Sequence, residues 1–80
     1  MIVYHATTPN KLRRYYHNHL ILPPVRYWTT RYSALKWMRK VGRSVLLSFE
    51  EPVPSYPLPM KGGAKWSCRM VRDWQEEIPF

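Results

Sequence analysis

The chain has 80 residues, with 13 Lys and Arg against 5 Asp and Glu, a formal charge of +8. That length holds one domain with a small core, and a hydrophobic share of 45% excludes a wholly disordered chain. No apolar run approaches the roughly 18 residues of a membrane span, and the N-terminus lacks the pattern of a secretory leader. A single cysteine, Cys68, excludes an intramolecular disulfide framework, so a reducing cytoplasm is the expected address.

Charge is unevenly placed. Residues 1–49 carry no Asp or Glu but hold Lys11, Arg13, Arg14, Arg26, Arg31, Lys36, Arg39, Lys40 and Arg43, while all five acids follow. Such a field attracts phosphates, in nucleic acid or a dinucleotide, and acidic protein surfaces.

In chain order, Ile2–Ala6 reads as a strand of β-branched and aromatic residues. Thr8 and Pro9 then start a helix, a hydroxyl cap followed by a proline whose missing N–H costs nothing there. Leu12, Tyr15, Tyr16 and His19 give it one apolar face, with Lys11, Arg14 and Asn18 outside. Pro23 and Pro24 mark a loop. Val25–Trp28 predicts a second strand, with Tyr27 and Tyr32 at a surface or cleft. Thr29 or Thr30 caps a helix over Arg31–Val41, closed by Gly42. Its apolar stripe is Ala34, Trp37, Met38 and Val41; Lys36, Arg39, Lys40 and Arg43 make its basic face.

Val45, Leu47 and Phe49 alternate in the clearest strand, Ser44–Phe49. A proline- and glycine-rich connection spans 52–63. Trp66, Cys68 and Met70 next alternate with Lys65, Ser67 and Arg69 as in a half-buried strand, which points Cys68 inward. Trp74, Glu76 and Ile78 alternate with Gln75 and Glu77, either in the same bent strand or after a hairpin near Arg72–Asp73. The whole, residues 1–80, predicts one small α+β domain: a mixed or antiparallel sheet with two helices packed on it.

Chemistry-bearing patterns are few. His17 and His19 point apart on a helix and lack a neighbouring ligand, so no metal site is expected. There is no glycine-rich phosphate loop and no nucleophile elbow. Tyr27, Trp28, Tyr32 and Trp37, interleaved with Arg26, Arg31 and Arg39, are the types that stack on bases and pair with phosphates.

The ordered segments VYHATTPNKLRR, LILPPVRYWTTRYSALKWM, SVLLSFEEP and DWQEEIPF resemble successive landmarks of the ADP-ribosyltransferase superfamily. That superfamily includes diphtheria-type toxins, poly(ADP-ribose) polymerases, RNA 2′-phosphotransferases and DNA ADP-ribosyltransferase-like domains. Tyr4–His5–Ala6–Thr7 matches the first strand of its His-containing branch, and Leu22–Pro23–Pro24 the following loop without its glycine. Tyr27–Trp28–Thr29–Thr30 and the Ala34 helix match the aromatic strand, hydroxyl pair and helix; Gln75–Glu76–Glu77 matches the late acidic strand.

The resemblance implies a minimal ADP-ribosyltransferase core with NAD as substrate. It assigns catalysis to His5, Tyr27 and Glu77, with Glu76 the alternative acid. It assigns cofactor binding to Thr7, Arg26, Thr29, Arg31 and Tyr32, with Arg26 or Arg31 toward the pyrophosphate and Tyr32 the alternative to Tyr27 for stacking on nicotinamide. A carboxylate beside a developing oxocarbenium ion and an aromatic stacked on nicotinamide make chemical sense of these types.

Three functions stand at this level. One is ADP-ribosyl transfer, or related NAD or RNA 2′-phosphate chemistry, onto a nucleic acid or protein acceptor. Another is a non-catalytic nucleic-acid-binding module in which Arg13, Arg14, Arg31, Arg39 and Arg43 bind phosphates while Tyr27 or Trp28 stacks on a base. The third is a protein-interaction domain, a homodimer or a partner of an acidic protein, and no membrane enters any of them.

Overall fold

The structure is a computed structural model that describes residues 1–52 and 64–79. The expected turn at Gly62–Gly63 and the prolines after Pro52 in the connection lie outside the described residues. The observed elements are β1 (Ile2–Thr7), α1 (Pro9–Asn18), β2 (Val25–Tyr27), α2 (Arg31–Val41), β3 (Val45–Glu50), β4 (Lys65–Ser67) and β5 (Gln75–Glu77). This is the small α+β architecture, and every strand pairing in it is antiparallel.

Local chemistry sets the helix ends. The Thr8 hydroxyl accepts the Lys11 N–H at 3.2 Å, satisfying one of the donors a helix start leaves open. α1 stops where His19 turns left-handed, with φ 59° and its N–H on the Tyr15 carbonyl. Thr30, rather than Thr29, caps α2, accepting the Ser33 N–H at 3.2 Å. Gly42 closes α2 at φ 74°, a conformation that glycine adopts without a Cβ penalty.

β3 lies between β1 and β5, while β2 and β4 form a separate ribbon. One bridge joins the two sheets, Tyr4 and Trp28 exchanging both backbone hydrogen bonds at 2.8 Å. Beyond it, His5 Nδ1 reaches the Arg26 carbonyl at 2.6 Å, a side chain doing the work of a ladder bond.

Register decides which residues share a face. His5 stands opposite Leu47, which stands opposite Glu76; Ala6 stands opposite Leu46, which stands opposite Glu77. Adjacent residues of a strand point to opposite faces, so the His5–Leu47–Glu76 row and the Ala6–Leu46–Glu77 row lie on opposite sides. On the first side Val3, Leu47 and Phe49 pack with Ile21, Val25, Tyr27 and Val71, and α1 adds Leu12 and Tyr15. On the second, Ala6 and Leu46 pack with Trp28, Ala64 and the Ala34 and Met38 stripe of α2. The three-stranded sheet is thus a middle layer between the two helices.

Several sequence expectations change. α1 has no fully buried residue, and Tyr16 and His19 are exposed: the apolar contacts of the helix with the core come from Leu12 and Tyr15, while Tyr16 reaches the sheet only through its hydroxyl, on Glu76. Val41 is also exposed, as the last residue of α2. In β4 the alternation is reversed. Ser67 is buried, whereas Trp66, Cys68 and Met70 are exposed, because Ser67 pairs with inward Val25 while Trp66 pairs with outward Arg26. Tyr27 is core rather than cleft, 1% exposed and edge-on to Phe49. Among the described residues, no helix is long and apolar enough to cross a membrane.

Candidate nucleic-acid interface

β2 alternates Val25 and Tyr27 into the core, which leaves Arg26 on the other side of the ribbon. Its guanidinium carbon lies 4.8 Å from the centroid of Trp66, its cross-strand partner. It also lies 5.5 Å from the ring of Trp37, on α2. Arg43, just past the α2 cap, covers the same Trp37 ring at 5.2 Å. The Trp37 ring in turn packs on buried Trp28 at 4.9 Å. The result is an alternating ladder, Arg43–Trp37–Arg26–Trp66, anchored in the core by Trp28.

Cation and ring attract through the quadrupole of the ring face, which holds each guanidinium without a counter-ion. Among the described residues neither Arg26 nor Arg43 pairs with a carboxylate, and Arg26 Nε is buried without a hydrogen-bond partner. Their charge is oriented but not neutralised. Lys36 and Lys40, one helical turn apart and exposed, add two more cations on the same helix as Trp37. The five acids lie elsewhere: Asp73 lines a cleft with Trp74 and Gln75, Glu50 binds the N-terminal ammonium at 2.5 Å and Glu51 binds Arg69 at 2.6 Å. Glu76 accepts the Tyr16 hydroxyl at 2.8 Å, and Glu77 accepts the Ser48 hydroxyl at 2.9 Å.

The residues expected to form a transfer site are distributed over several places. His5 is 8% exposed, against α1. A carbonyl only accepts, so Nδ1 carries the proton toward Arg26 and Nε2 accepts the Tyr15 hydroxyl at 3.1 Å. Thr7, fully buried, then donates to the Tyr15 oxygen at 3.4 Å. Burial pushes the His5 pKa below 6.5; the Arg26 carbonyl opposes this, and the charges of Lys11, Arg43 and Arg26 reinforce it.

Glu77 sits across the sheet from that chain, beside a cleft of about 920 Å³ that Ser48, Phe49, Arg69, Trp74 and Gln75 also line. Tyr27 reaches neither, because its ring fills the core. Its buried hydroxyl has no partner, and desolvation, with the Glu51 charge, raises its pKa. His5, Tyr27 and Glu77 therefore do not converge on one cleft.

The remaining expected residues are equally dispersed. Arg31 donates to the Ile78 carbonyl, Thr29 is exposed next to the α2 cap, and Tyr32 is 74% exposed. Arg13, bonded to Asn10, and Arg14 lie on α1, with the sheet between them and Arg39 and Arg43. Of the five arginines expected to bind nucleic acid, Arg13 and Arg14 thus lie on one side of the sheet and Arg31, Arg39 and Arg43 with α2 on the other, and Arg43 belongs to the ladder.

Sequence reading missed Trp66 and Tyr15 as site residues. The available signal was the strand alternation around Arg26, which puts it on the face opposite to Val25 and Tyr27. Among the described residues, no cluster of three or more His, Cys, Asp or Glu could hold a metal ion. No protein-family model, curated protein or solved structure matches the chain.

Proposed function

We propose that the chain binds nucleic acid through the face built on the Arg43–Trp37–Arg26–Trp66 ladder. The observation that carries this reading is the ladder itself: two arginines without carboxylate partners among the described residues, alternating with two tryptophans, with Lys36 and Lys40 exposed on the same helix as Trp37. Phosphates take up oriented, unpaired guanidinium groups, and binding releases counterions. Four cations, Arg26, Lys36, Lys40 and Arg43, correspond to a log–log salt slope of roughly −2.8 for a single strand, or about a 50-fold loss of affinity from 50 to 200 mM salt.

The test is fluorescence anisotropy of a labelled oligonucleotide across that salt range. Lys36→Gln combined with Lys40→Gln lowers the affinity and makes the slope shallower by about 1.4, two phosphate contacts' worth. The pair Arg13→Gln and Arg14→Gln on α1 leaves both unchanged. Binding that is insensitive to salt, or that depends on α1 rather than α2, refutes the reading.

NAD-dependent ADP-ribosyl transfer is the second reading, supported by one observation beside the resemblance: His5 and Glu76 occupy one row of one sheet face, hydrogen-bonded to the successive α1 residues Tyr15 and Tyr16. In this reading Glu76 takes the place expected of Glu77, and the acceptor is the bound nucleic acid. Release of nicotinamide from NAD, abolished by Glu76→Gln and retained in Glu77→Gln, supports it. No release in the presence of nucleic acid removes it without affecting the binding proposal.

A further inference from the structure

We infer that Trp66 is a stacking platform for an unpaired base, so that the ladder face prefers single-stranded nucleic acid to duplex. The inference rests on the nucleic-acid reading and adds the class of ligand. Trp66 ends the ladder: Arg26 covers its ring, and the side chain is still 38% exposed. That fraction of an indole's roughly 250 Å² leaves about 95 Å² accessible, on the scale of one face of a base.

The platform is held in place. Trp66 sits in strand register opposite Arg26 and is followed by Ser67, which is 2% exposed, while Ala64, two residues before it, is 3% exposed. Trp37 and Trp28 support Arg26 from below. A ring positioned this way presents π surface without further ordering, and the adjacent cations meet the phosphates that flank a stacked base. In a duplex the base faces are already stacked on one another, so Trp66 reaches only a nucleotide that is unpaired. Stacking on an aromatic face tolerates any base and either sugar, so oligo(dT) and oligo(U) are both expected to bind.

The test is anisotropy at one fixed salt concentration with three labelled probes: oligo(dT), oligo(U) and a blunt DNA hairpin of equal charge whose loop is a non-nucleotide linker, so that every base in it is paired. The wild-type chain binds both single strands at least about tenfold more tightly than the hairpin. Trp66→Ala weakens single-strand binding by about 5- to 150-fold, the range found for removing one stacked base, while hairpin binding stays within about twofold. Trp66→Phe, which keeps a ring, restores most of the loss, and a melting curve for each variant separates lost stacking from lost folding.

Equal affinity for strand and hairpin in the wild-type chain overturns the inference and leaves the nucleic-acid reading standing. An equal loss on both probes in Trp66→Ala does the same, as does self-association of the wild-type chain through this face, abolished by Trp66→Ala. Failure to bind any of the three probes overturns both.

Discussion

Acidification should destabilise this fold through one residue, His5. In the folded chain it is neutral, with Nδ1–H on the Arg26 carbonyl and Nε2 taking the Tyr15 hydroxyl. Protonation puts a second hydrogen where Tyr15 donates, in a site 8% exposed and ringed by cations from three directions. Those are Lys11 on α1, Arg26 on β2 and Arg43 after α2. The folded pKa thus lies below the unfolded value of 6.5. Between those two values the unfolded chain binds more protons than the folded one, so stability falls as pH is lowered, beginning near 6.5.

One proton gives a limiting slope of about 1.4 kcal/mol per pH unit, so the loss between pH 7.5 and 5.5 is at most about 1.4 kcal/mol, reached where folded His5 stays neutral throughout. For a domain this size that ceiling corresponds to a fall in Tm of roughly 6–11 °C. The window lies above the usual carboxylate range, which keeps acid groups out of the measurement. The assay is thermal unfolding by circular dichroism at pH 5.5, 6.5 and 7.5, on wild type and His5→Asn, whose amide N–H preserves a donor toward Arg26. Wild type loses stability across the window, and the variant, less stable at pH 7.5, is flat. A wild-type chain with no pH dependence, or a variant that loses as much, refutes the argument.

Two further predictions concern single groups. Tyr27→Phe removes a buried hydroxyl that has no partner, so stability is unchanged or rises by up to about 1 kcal/mol, read as Tm; a fall of more than that would mean the hydroxyl is satisfied. Gly42→Ala adds a Cβ with nothing within 4 Å of it, so its only penalty is the left-handed backbone at φ 74°. The expected loss is about 1 kcal/mol, or roughly 4–8 °C in Tm, and an unchanged melt contradicts the cap assignment.

What was legible in the sequence was local. Thr8–Pro9, Thr30 and Gly42 mark helix ends because a cap is made within three or four residues, and β1 and β3 follow from their composition. What was not legible depends on pairing. Alternation in β4 shows that two faces exist but not which one is wet; register against β2 puts Trp66 outside with Arg26 and Ser67 inside with Val25. The same holds for the acids. Gln75–Glu76–Glu77 reads as one short motif, yet pairing with Leu46, Leu47 and Ser48 sends Glu76 toward α1 and Glu77 to the opposite face. The ladder was hidden for a related reason, since its members come from β2, α2, the residue after it and β4, and only the fold brings them together.

The central claim is the location of binding, and amide and indole NMR shifts on titrating the labelled chain with oligo(dT) test it most directly. Four tryptophans give four indole Nε1–H signals, two of them from ladder residues Trp37 and Trp66, so the map has internal controls. The account predicts the largest shifts at Trp66, Trp37, Arg26 and Arg43, with the amides of Arg13 and Arg14 on α1 unmoved. Shifts concentrated on α1 or around the Glu77 cleft, or none at millimolar oligonucleotide and low salt, contradict it.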